Sequence, residues 1–303
     1  MSVRLERAQS LGWWAECLGG ELDEGAGDSV VERVAEPGPC DAPNTLQVLL
    51  RARYAPGEIS AASVWLCTPE LAGRLPTGRR LSHGHAAWAL ARLLAGAAPA
   101  AAGRVHPSAR VAATAVVEPG VGVGEDARIE AGAVIYAGVT LGARVRIGAG
   151  AVIGRPGFGW VEGPDGQRER MPQPGGVVLE DDVEVGPLCT VDSGTLAPTL
   201  LQRGVKLDAH VHVGHNVRIG PDCLIAAQVG FAGSVVLGRG VLVGGQAGFK
   251  DHVRVGDGAR VLAKSGVIGD VPPGAIVAGF PAMARVPWLR AMAELRANRG
   301  RRR

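Results

Sequence analysis

Three histidines lie within six consecutive positions, in the segment HVHVGHNVRIG (210–220), although the whole chain contains only seven. A neutral imidazole can remove a proton from an amine or a hydroxyl near neutral pH, and it can also ligate a metal ion. His210 and His212 would share one face of a β-strand. However, a closed metal site needs about four ligands, and no cysteine or carboxylate recurs here at ligand spacing. The segment therefore favours a general base, with His215 beside Asn216 as the candidate and the other two histidines as scaffold residues.

A period of six positions determines where these side chains lie. From about residue 105 the chain runs in hexads such as VGEDAR, IEAGAV, LDAHVH, VGHNVR and FKDHVR, each opening on a large aliphatic residue or Phe. Such a repeat is typical of a triangular coil in which three short strands point their aliphatic residues inward and small residues occupy the corners. Three hexads make one coil, and coils stack at the parallel-strand spacing of about 4.8 Å. The sequence therefore predicts a mainly β fold, a parallel β-helix over residues 105–281.

The hexad phase separates the three neighbouring histidines and brings in a fourth. His215 falls at a corner of its coil, where side chains project outward. His252, in FKDHVR, lies 37 residues further on (252 − 215 = 37), which is two coils of 18 plus one residue. Two coils span roughly 10 Å along the axis, too far for a direct hydrogen bond but close enough for both histidines to line one cleft.

The period is interrupted once and flanked on both sides. The inserted segment 154–177, rich in Gly and Pro, predicts a functional loop that carries Phe158, Trp160, Arg168, Arg170 and Gln173. Residues 1–104 lack the period, and a strand at 62–67 and a helix at 85–97 predict a small α/β domain.

The C-terminal segment 282–303 predicts a short basic helix that opens at Pro287, with Trp288, Leu289, Met292 and Leu295 on one stripe. From Arg285 onward the chain has seven arginines and one glutamate. Two interpretations remain open, a frayed solvated tail or a docking surface for an acidic partner.

Composition limits the classes of partner and compartment. A net charge of +3 is too small to indicate nucleic-acid binding. Five widely spaced cysteines without a CxxC pair speak against a disulfide framework or a zinc site. The first twenty residues lack an apolar signal-peptide core, and no run of eighteen uncharged apolar residues predicts a transmembrane segment. We expect a cytoplasmic protein.

Residues 205–267, from VKLDAHVHVGHNVRIG to RVLAKSGV, closely resemble the UDP-3-O-(3-hydroxyacyl)glucosamine N-acyltransferase family of lipid A biosynthesis, a branch of the hexapeptide-repeat acyltransferases. The elements HNVxIG, AAQVGxAGS and GGQxGxxxH are specific to this family among hexapeptide enzymes. The stretches GFGW, MPQPGGVVLEDDVEVG and AGFPAMARVPWLR look similar as well. The resemblance implies left-handed coils, a homotrimer with clefts between neighbouring β-helices, and acyl carrier protein as the donor and partner.

The same resemblance implies the site residues. His215 matches the general base that deprotonates the glucosamine 2-amine, and Gly233 matches the backbone N–H donor to the oxyanion. His252 matches a residue that binds substrate or phosphopantetheine, and Asp208 matches a carboxylate that contacts the sugar. No metal or cofactor is implied beyond the phosphopantetheine thioester of the acyl carrier protein.

Two segments depart from the family pattern. Where the family has DRGAxxDT, this chain has Asp192, Ser193, Gly194 and Thr195, followed by Pro198 and Thr199. In the segment that corresponds to uridine binding, VLLRARY, only Tyr54 remains. These departures point to altered uridine stacking, and leave open a different nucleotide-linked amino sugar as acceptor and a divergent paralogue of the family.

Three functions therefore remain open. The first is N-acylation of a UDP-3-O-acyl-glucosamine by a carrier-bound 3-hydroxyacyl chain. The second is acetyl transfer from coenzyme A to another nucleotide-linked amino sugar. The third is a non-catalytic β-helix that binds sugar nucleotides.

Overall fold

The computed structural model describes residues 2–38, 42–51, 63–98 and 103–300. It divides the chain into two compact units. The first unit comprises Met1–Ala100, Phe158–Gly175 and Thr195–Ala197, and the second comprises Ala101–Gly157, Gly176–Gly194 and Pro198–Arg303.

The first unit is an α/β structure around one six-stranded sheet. Its strands are β1 (Ser2–Ser10), β2 (Glu21–Leu22), β3 (Val30–Ala35), β4 (Thr45–Leu49), β5 (Val64–Cys67) and β6 (Arg80–Ser82), and its helices are α1 (Leu11–Leu18), α2 (Pro69–Ala72) and α3 (Ala86–Leu94). The strand order is β1-β3-β4-β5-β6-β2. The four central strands are parallel, and the two edge strands pair antiparallel. Helix α3 buries Ala86, Leu90, Leu93 and Leu94, the one-sided pattern of an amphipathic helix.

The inserted segment forms a hairpin, β15 (Trp160–Glu162) paired antiparallel with β16 (Arg168–Arg170). The intervening GPDGQ turn contains Gly166 at φ 76°, a conformation that favours glycine. Within the first unit, Trp88 Nε1 of α3 donates to Glu169 Oε1 at 3.0 Å. The Arg170 guanidinium lies over the Trp160 ring, 4.8 Å from its centroid. A polar segment thus forms two short strands because a tight turn and contacts to α3 compensate for its lack of apolar residues.

The second unit is a β-helix built from three parallel sheets. The first sheet holds β7 (Arg110–Val111), β10 (Arg128–Ile129), β13 (Arg146–Ile147), β18 (Glu184–Val185), β21 (Lys206–Leu207), β24 (Leu224–Ile225), β27 (Leu242–Val243), β30 (Arg260–Val261), β32 (Ile276–Ala278) and the antiparallel β33 (Met283–Ala284). The second holds β8 (Val116–Val117), β11 (Val134–Ile135), β14 (Val152–Arg155), β19 (Thr190–Asp192), β22 (His212–Val213), β25 (Gly230–Phe231), β28 (Gly248–Phe249) and β31 (Gly266–Val267). The third holds β9 (Gly122–Val123), β12 (Val139–Leu141), β17 (Val177–Leu179), β20 (Thr199–Leu201), β23 (Arg218–Ile219), β26 (Val236–Leu237) and β29 (Arg254–Val255).

The core of the β-helix contains two positions of each hexad. The aliphatic first position points inward, as in Ile219 and Val243, and the fifth position does too, as in Val217 and Val241. Phe231 and Phe249 stack inside with ring centroids 4.7 Å apart. The predicted mainly β fold, a β-helix of hexapeptide repeats, is confirmed.

The corners require a backbone conformation that the hexad pattern did not predict. In most turns the fourth hexad position adopts the left-handed conformation, at φ 59° for Asn216 and φ 60° for His252. Asn tolerates this region because its short polar side chain can form local hydrogen bonds. Side chains at these corners project away from the packed core, which leaves them available for chemistry.

Helix α4 (Arg285–Gly300) follows β33. Leu289 and Leu295 on its predicted apolar stripe are 42% and 59% exposed. Within the described ranges, no helix has the length and apolarity needed to cross a bilayer.

Candidate active site

The turn between β22 and β23 positions His215. Its Nδ1 lies 3.2 Å from Asn216 Oδ1, so the carboxamide oxygen can accept the Nδ1–H. The backbone N–H of Asn216 donates to the hydroxyl of Thr199, a fully buried residue, at 2.9 Å. In the tautomer that carries its proton on Nδ1, the contact with Asn216 leaves the lone pair of Nε2 on the opposite side of the ring. His215 therefore has the orientation that a general base requires.

Gly233 lies in the next coil, directly against the His215 ring. A Cβ atom at Gly233 would lie 2.6 Å from both Cε1 and Nε2 of His215. The neighbouring amides of Ala232 and Ser234 donate to the carbonyls of Phe249 and His215. Within the described ranges the Gly233 amide has no such partner. A free N–H beside an imidazole can stabilise an oxyanion while the imidazole accepts a proton.

His252 belongs to the same column of turns. Its amide donates to the Gly233 carbonyl at 3.1 Å, and its Nε2 lies 3.8 Å from Asp251 Oδ2. The Ser234 amide donates to the His215 carbonyl at 2.9 Å, so backbone hydrogen bonds link all three turns. The structure thus brings together His215, Gly233 and His252.

Asp208 lies elsewhere in its coil. It occupies the turn between β21 and β22, one corner before His215, where its exposed carboxylate accepts from the Ala209 amide at 2.7 Å. His210 lies in that same turn and is exposed. Within one chain, therefore, Asp208 does not join the His215 column. Tyr54, the remaining predicted substrate-binding residue, lies outside the described residues.

His212, which the sequence pattern predicts to be a scaffold residue, lies in a polar cluster next to the site. His212 Nδ1 lies 2.7 Å from Thr190 Oγ1, and its Nε2 lies 3.9 Å from Asp192 Oδ2. Arg155 Nε lies 3.0 Å from Asp192 Oδ1. Asp192 is only 1% exposed. The signal available in the sequence was the retained Asp192 at the head of the altered DSGT segment.

Burial dominates the electrostatics of this cluster. Burial raises the pKa of Asp192, and the positive charge of Arg155 is the largest influence that opposes that rise. Burial lowers the pKa of His212, against the influence of Asp192. We therefore expect a neutral His212 imidazole at neutral pH.

The described part of the chain contains no group of three His, Cys, Asp or Glu side chains arranged to hold a metal ion. An imidazole beside a backbone N–H is an arrangement that can support acyl transfer from an activated ester.

Parts of the chain are similar to known proteins. The family model described as "Bacterial transferase hexapeptide (six repeats)" matches residues 120–155 and 198–233. The UDP-3-O-acylglucosamine N-acyltransferase of Rhizobium meliloti is 48% identical over 47% of this chain and 40% of its own length. The enzyme of the same name from Azorhizobium caulinodans is 54% identical over 48% of this chain and 40% of its own length. Among solved structures, the UDP-N-acetylglucosamine acyltransferase of Francisella novicida is 23% identical, with a TM-score of 0.49 over 62% of this chain and 71% of that one.

The chain spans about 40% of the length of these curated relatives. Both matched repeat segments lie in the β-helix, and the second includes the His215 turn and Gly233. The predicted resemblance is thus confirmed: residues 120–155 and 198–233 match bacterial transferase hexapeptide repeats, and about half of the chain is similar to UDP-3-O-acylglucosamine N-acyltransferases.

Proposed function

We propose that this chain is an N-acyltransferase that moves a 3-hydroxyacyl group from the phosphopantetheine thioester of acyl carrier protein to the 2-amine of a UDP-3-O-acyl-glucosamine. The observation that carries the proposal is the position of the His215 imidazole directly against Gly233, whose backbone N–H has no hydrogen-bond partner among the described residues. The name of the two relatives, UDP-3-O-acylglucosamine N-acyltransferase, supports the UDP-acylglucosamine acceptor.

In the proposed reaction the amine attacks the thioester carbonyl as His215 Nε2 accepts its proton. The carbonyl electrons move onto oxygen, and the Gly233 N–H stabilises that oxyanion. Collapse of the tetrahedral intermediate forms the amide, breaks the C–S bond and releases the thiolate. The imidazolium then returns its proton to the sulfur, so the base is regenerated. A thioester is already activated, and so neither a metal nor a covalent nucleophile is needed.

Binding roles follow for the remaining residues. His252, in the same column, would hold the substrate or the phosphopantetheine arm. Asp208 lies at another corner, so it would contact the sugar in a cleft completed by a neighbouring subunit of a homotrimer. The exposed basic helix α4 would dock the acidic carrier protein. Tyr54 would contribute to uridine binding in the first unit.

The test is to incubate the purified chain with acyl carrier protein thioesters and UDP-linked amino sugars and to identify the product by mass spectrometry. His215→Ala should lower turnover by about 100-fold or more, the usual contribution of a general base. His106→Ala is the matched control, because His106 lies on an exposed turn of the first coil. Full turnover in His215→Ala would refute the mechanism.

Because the segment VLLRARY departs from the family's uridine-binding pattern, the test varies both the acceptor and the acyl donor. Preference for a short acyl-coenzyme A over the carrier thioester would instead identify an acetyltransferase acting on another nucleotide-linked amino sugar. Binding of a sugar nucleotide without turnover by any donor would identify a non-catalytic β-helix.

A further inference from the structure

Asp192 is a buried carboxylate whose hydrogen-bonding capacity is not used. Arg155 compensates the charge of Asp192, with Nε 3.0 Å from Oδ1. The Nε–H and Oδ1 nevertheless lack hydrogen-bond geometry, and this buried oxygen has no other hydrogen-bond partner among the described residues. The distance of 3.9 Å from Oδ2 to His212 Nε2 is also too long for a hydrogen bond. Buried carboxylates normally accept several hydrogen bonds, so this exception requires a physical reason.

His212 offers a donor beside that acceptor. Its Nδ1 and the Thr190 hydroxyl are 2.7 Å apart, so one of them donates to the other. A proton on Nε2 points toward the Asp192 carboxylate, whereas a lone pair there would be repelled by it. The favoured tautomer therefore accepts from Thr190 at Nδ1 and carries its proton on Nε2. Because 43% of the His212 side chain is exposed, a ligand can approach this N–H.

The cluster adjoins the candidate active site. Thr190 pairs with His212 and Val191 with Val213 across β19 and β22, which places Asp192 one coil from Gly214, the residue before His215. The charged and titratable groups that act on the pair are Arg155 on β14 and His215 in the turn that follows β22. A substrate held at His215 therefore lies next to this donor and acceptor.

We propose that His212 and Asp192 together recognise a hydroxyl group of the substrate: the hydroxyl oxygen accepts from His212 Nε2–H, and the hydroxyl proton is donated to the Asp192 carboxylate. This inference rests on the proposed acyl transfer and adds a specificity determinant to it. The hydroxyl comes either from the 3-position of the acyl donor or from the sugar of the acceptor. One oxygen atom can lie within hydrogen-bond distance of both groups when it bridges a 3.9 Å gap at an angle.

The physical consequence is discrimination against substrates that lack the hydroxyl. Such a substrate excludes water but leaves a buried carboxylate without a hydrogen bond, a state that sites built around a substrate hydroxyl reject strongly. A hydrogen bond to a charged group corresponds to a preference of about 10- to 100-fold in kcat/KM.

The experiment compares kcat/KM for matched substrate pairs. One arm uses 3-hydroxyacyl and unsubstituted acyl carrier thioesters of equal length, and the other uses the UDP-sugar acceptor and its deoxy analogues. Wild-type protein should prefer the hydroxylated member in one arm by about 10- to 100-fold. His212→Ala and Asp192→Asn should bring this ratio close to one, and His212→Gln, which retains an N–H donor, should restore part of it. His106→Ala should keep the wild-type ratio.

Several outcomes would overturn the inference. Equal turnover of hydroxylated and deoxy substrates by wild-type protein would do so, and so would an equal loss for both substrates in His212→Ala, since that indicates only a structural role. Should Asp192→Asn not fold, the His212→Ala and His212→Gln pair still decides the question. Absence of turnover with every substrate would overturn the proposed function itself, whereas turnover without hydroxyl selectivity would overturn only this inference.

Discussion

Replacing Gly233 by alanine tests the site geometry with a single methyl group. The new Cβ would lie 2.6 Å from Cε1 and Nε2 of His215. Ordinary carbon contacts are about 3.5–4.0 Å, so the ring must move by about 1 Å. The φ angle of Gly233 is not positive, so alanine fits this backbone conformation and leaves the backbone N–H in place. A misplacement of about 1 Å commonly costs about 100-fold in rate.

We therefore expect kcat of Gly233→Ala to fall by about 100-fold, while the free energy of unfolding changes by about 1 kcal/mol or less, because a half-buried ring can rotate away. The assay measures acyl transfer by mass spectrometry and unfolding by circular dichroism on the same samples. Gly269→Ala is the matched control, because an added Cβ there meets no atom within 4 Å. A folded Gly233→Ala protein with wild-type kcat would refute the placement of His215 against Gly233.

Three further predictions address other parts of the chain. Asn216→Gly keeps the left-handed backbone but removes the oxygen that orients the imidazole, so kcat/KM in the acyl-transfer assay should fall by about 10-fold; no change would argue against that orientation. The hydrogen bond from Arg80 lowers the pKa of Asp23 in the folded protein below its unfolded-state pKa of about 3.9. The ionised Asp23 therefore stabilises the folded state above pH about 3.9, and this stabilisation is lost as the pH falls through the lowered pKa. Asp23→Asn should thus lower the thermal midpoint at pH 7, and the difference should shrink in acid. Cys17 is exposed, whereas burial raises the pKa of Cys223 to about 11. Mass spectrometry after brief alkylation of native protein should find Cys17 modified and Cys223 protected.

The β-helix could be predicted because the residue pattern that specifies it lies within each six-residue repeat. Each hexad places an aliphatic residue on the inside, and a repeat of 18 residues makes coils pair in register, as Arg128 does with Arg146. Even the site column follows from this spacing, since Gly233 is 18 residues after His215 (233 − 215 = 18). Residues that occupy the same position in successive coils stack regardless of what lies between them.

For the first unit, only the α/β fold class could be predicted from the sequence. Its strand and helix are recognisable locally, and the observed bounds of β5 and α3 lie within the predicted segments. The order β1-β3-β4-β5-β6-β2 is set by pairing between distant strands, about which a single sequence carries little information. The hairpin at 160–170 was missed for a related reason, because Trp88 of α3 and the Gly166 turn support it rather than an apolar pattern of its own.

The Asp192 cluster shows where periodic reasoning fails. His212 pairs with Thr190, a spacing of 22 residues rather than 18 (212 − 190 = 22), because the hexads slip by four residues between them. The register also shifts between β14 and β19, where Arg155 lies opposite Asp192. This irregularity brings Arg155 and His212, from two other coils, to the buried carboxylate of Asp192. Irregular register in an otherwise regular β-helix costs backbone pairing, and its coincidence with an unsatisfied carboxylate beside His215 is the structural reason to look for substrate recognition there.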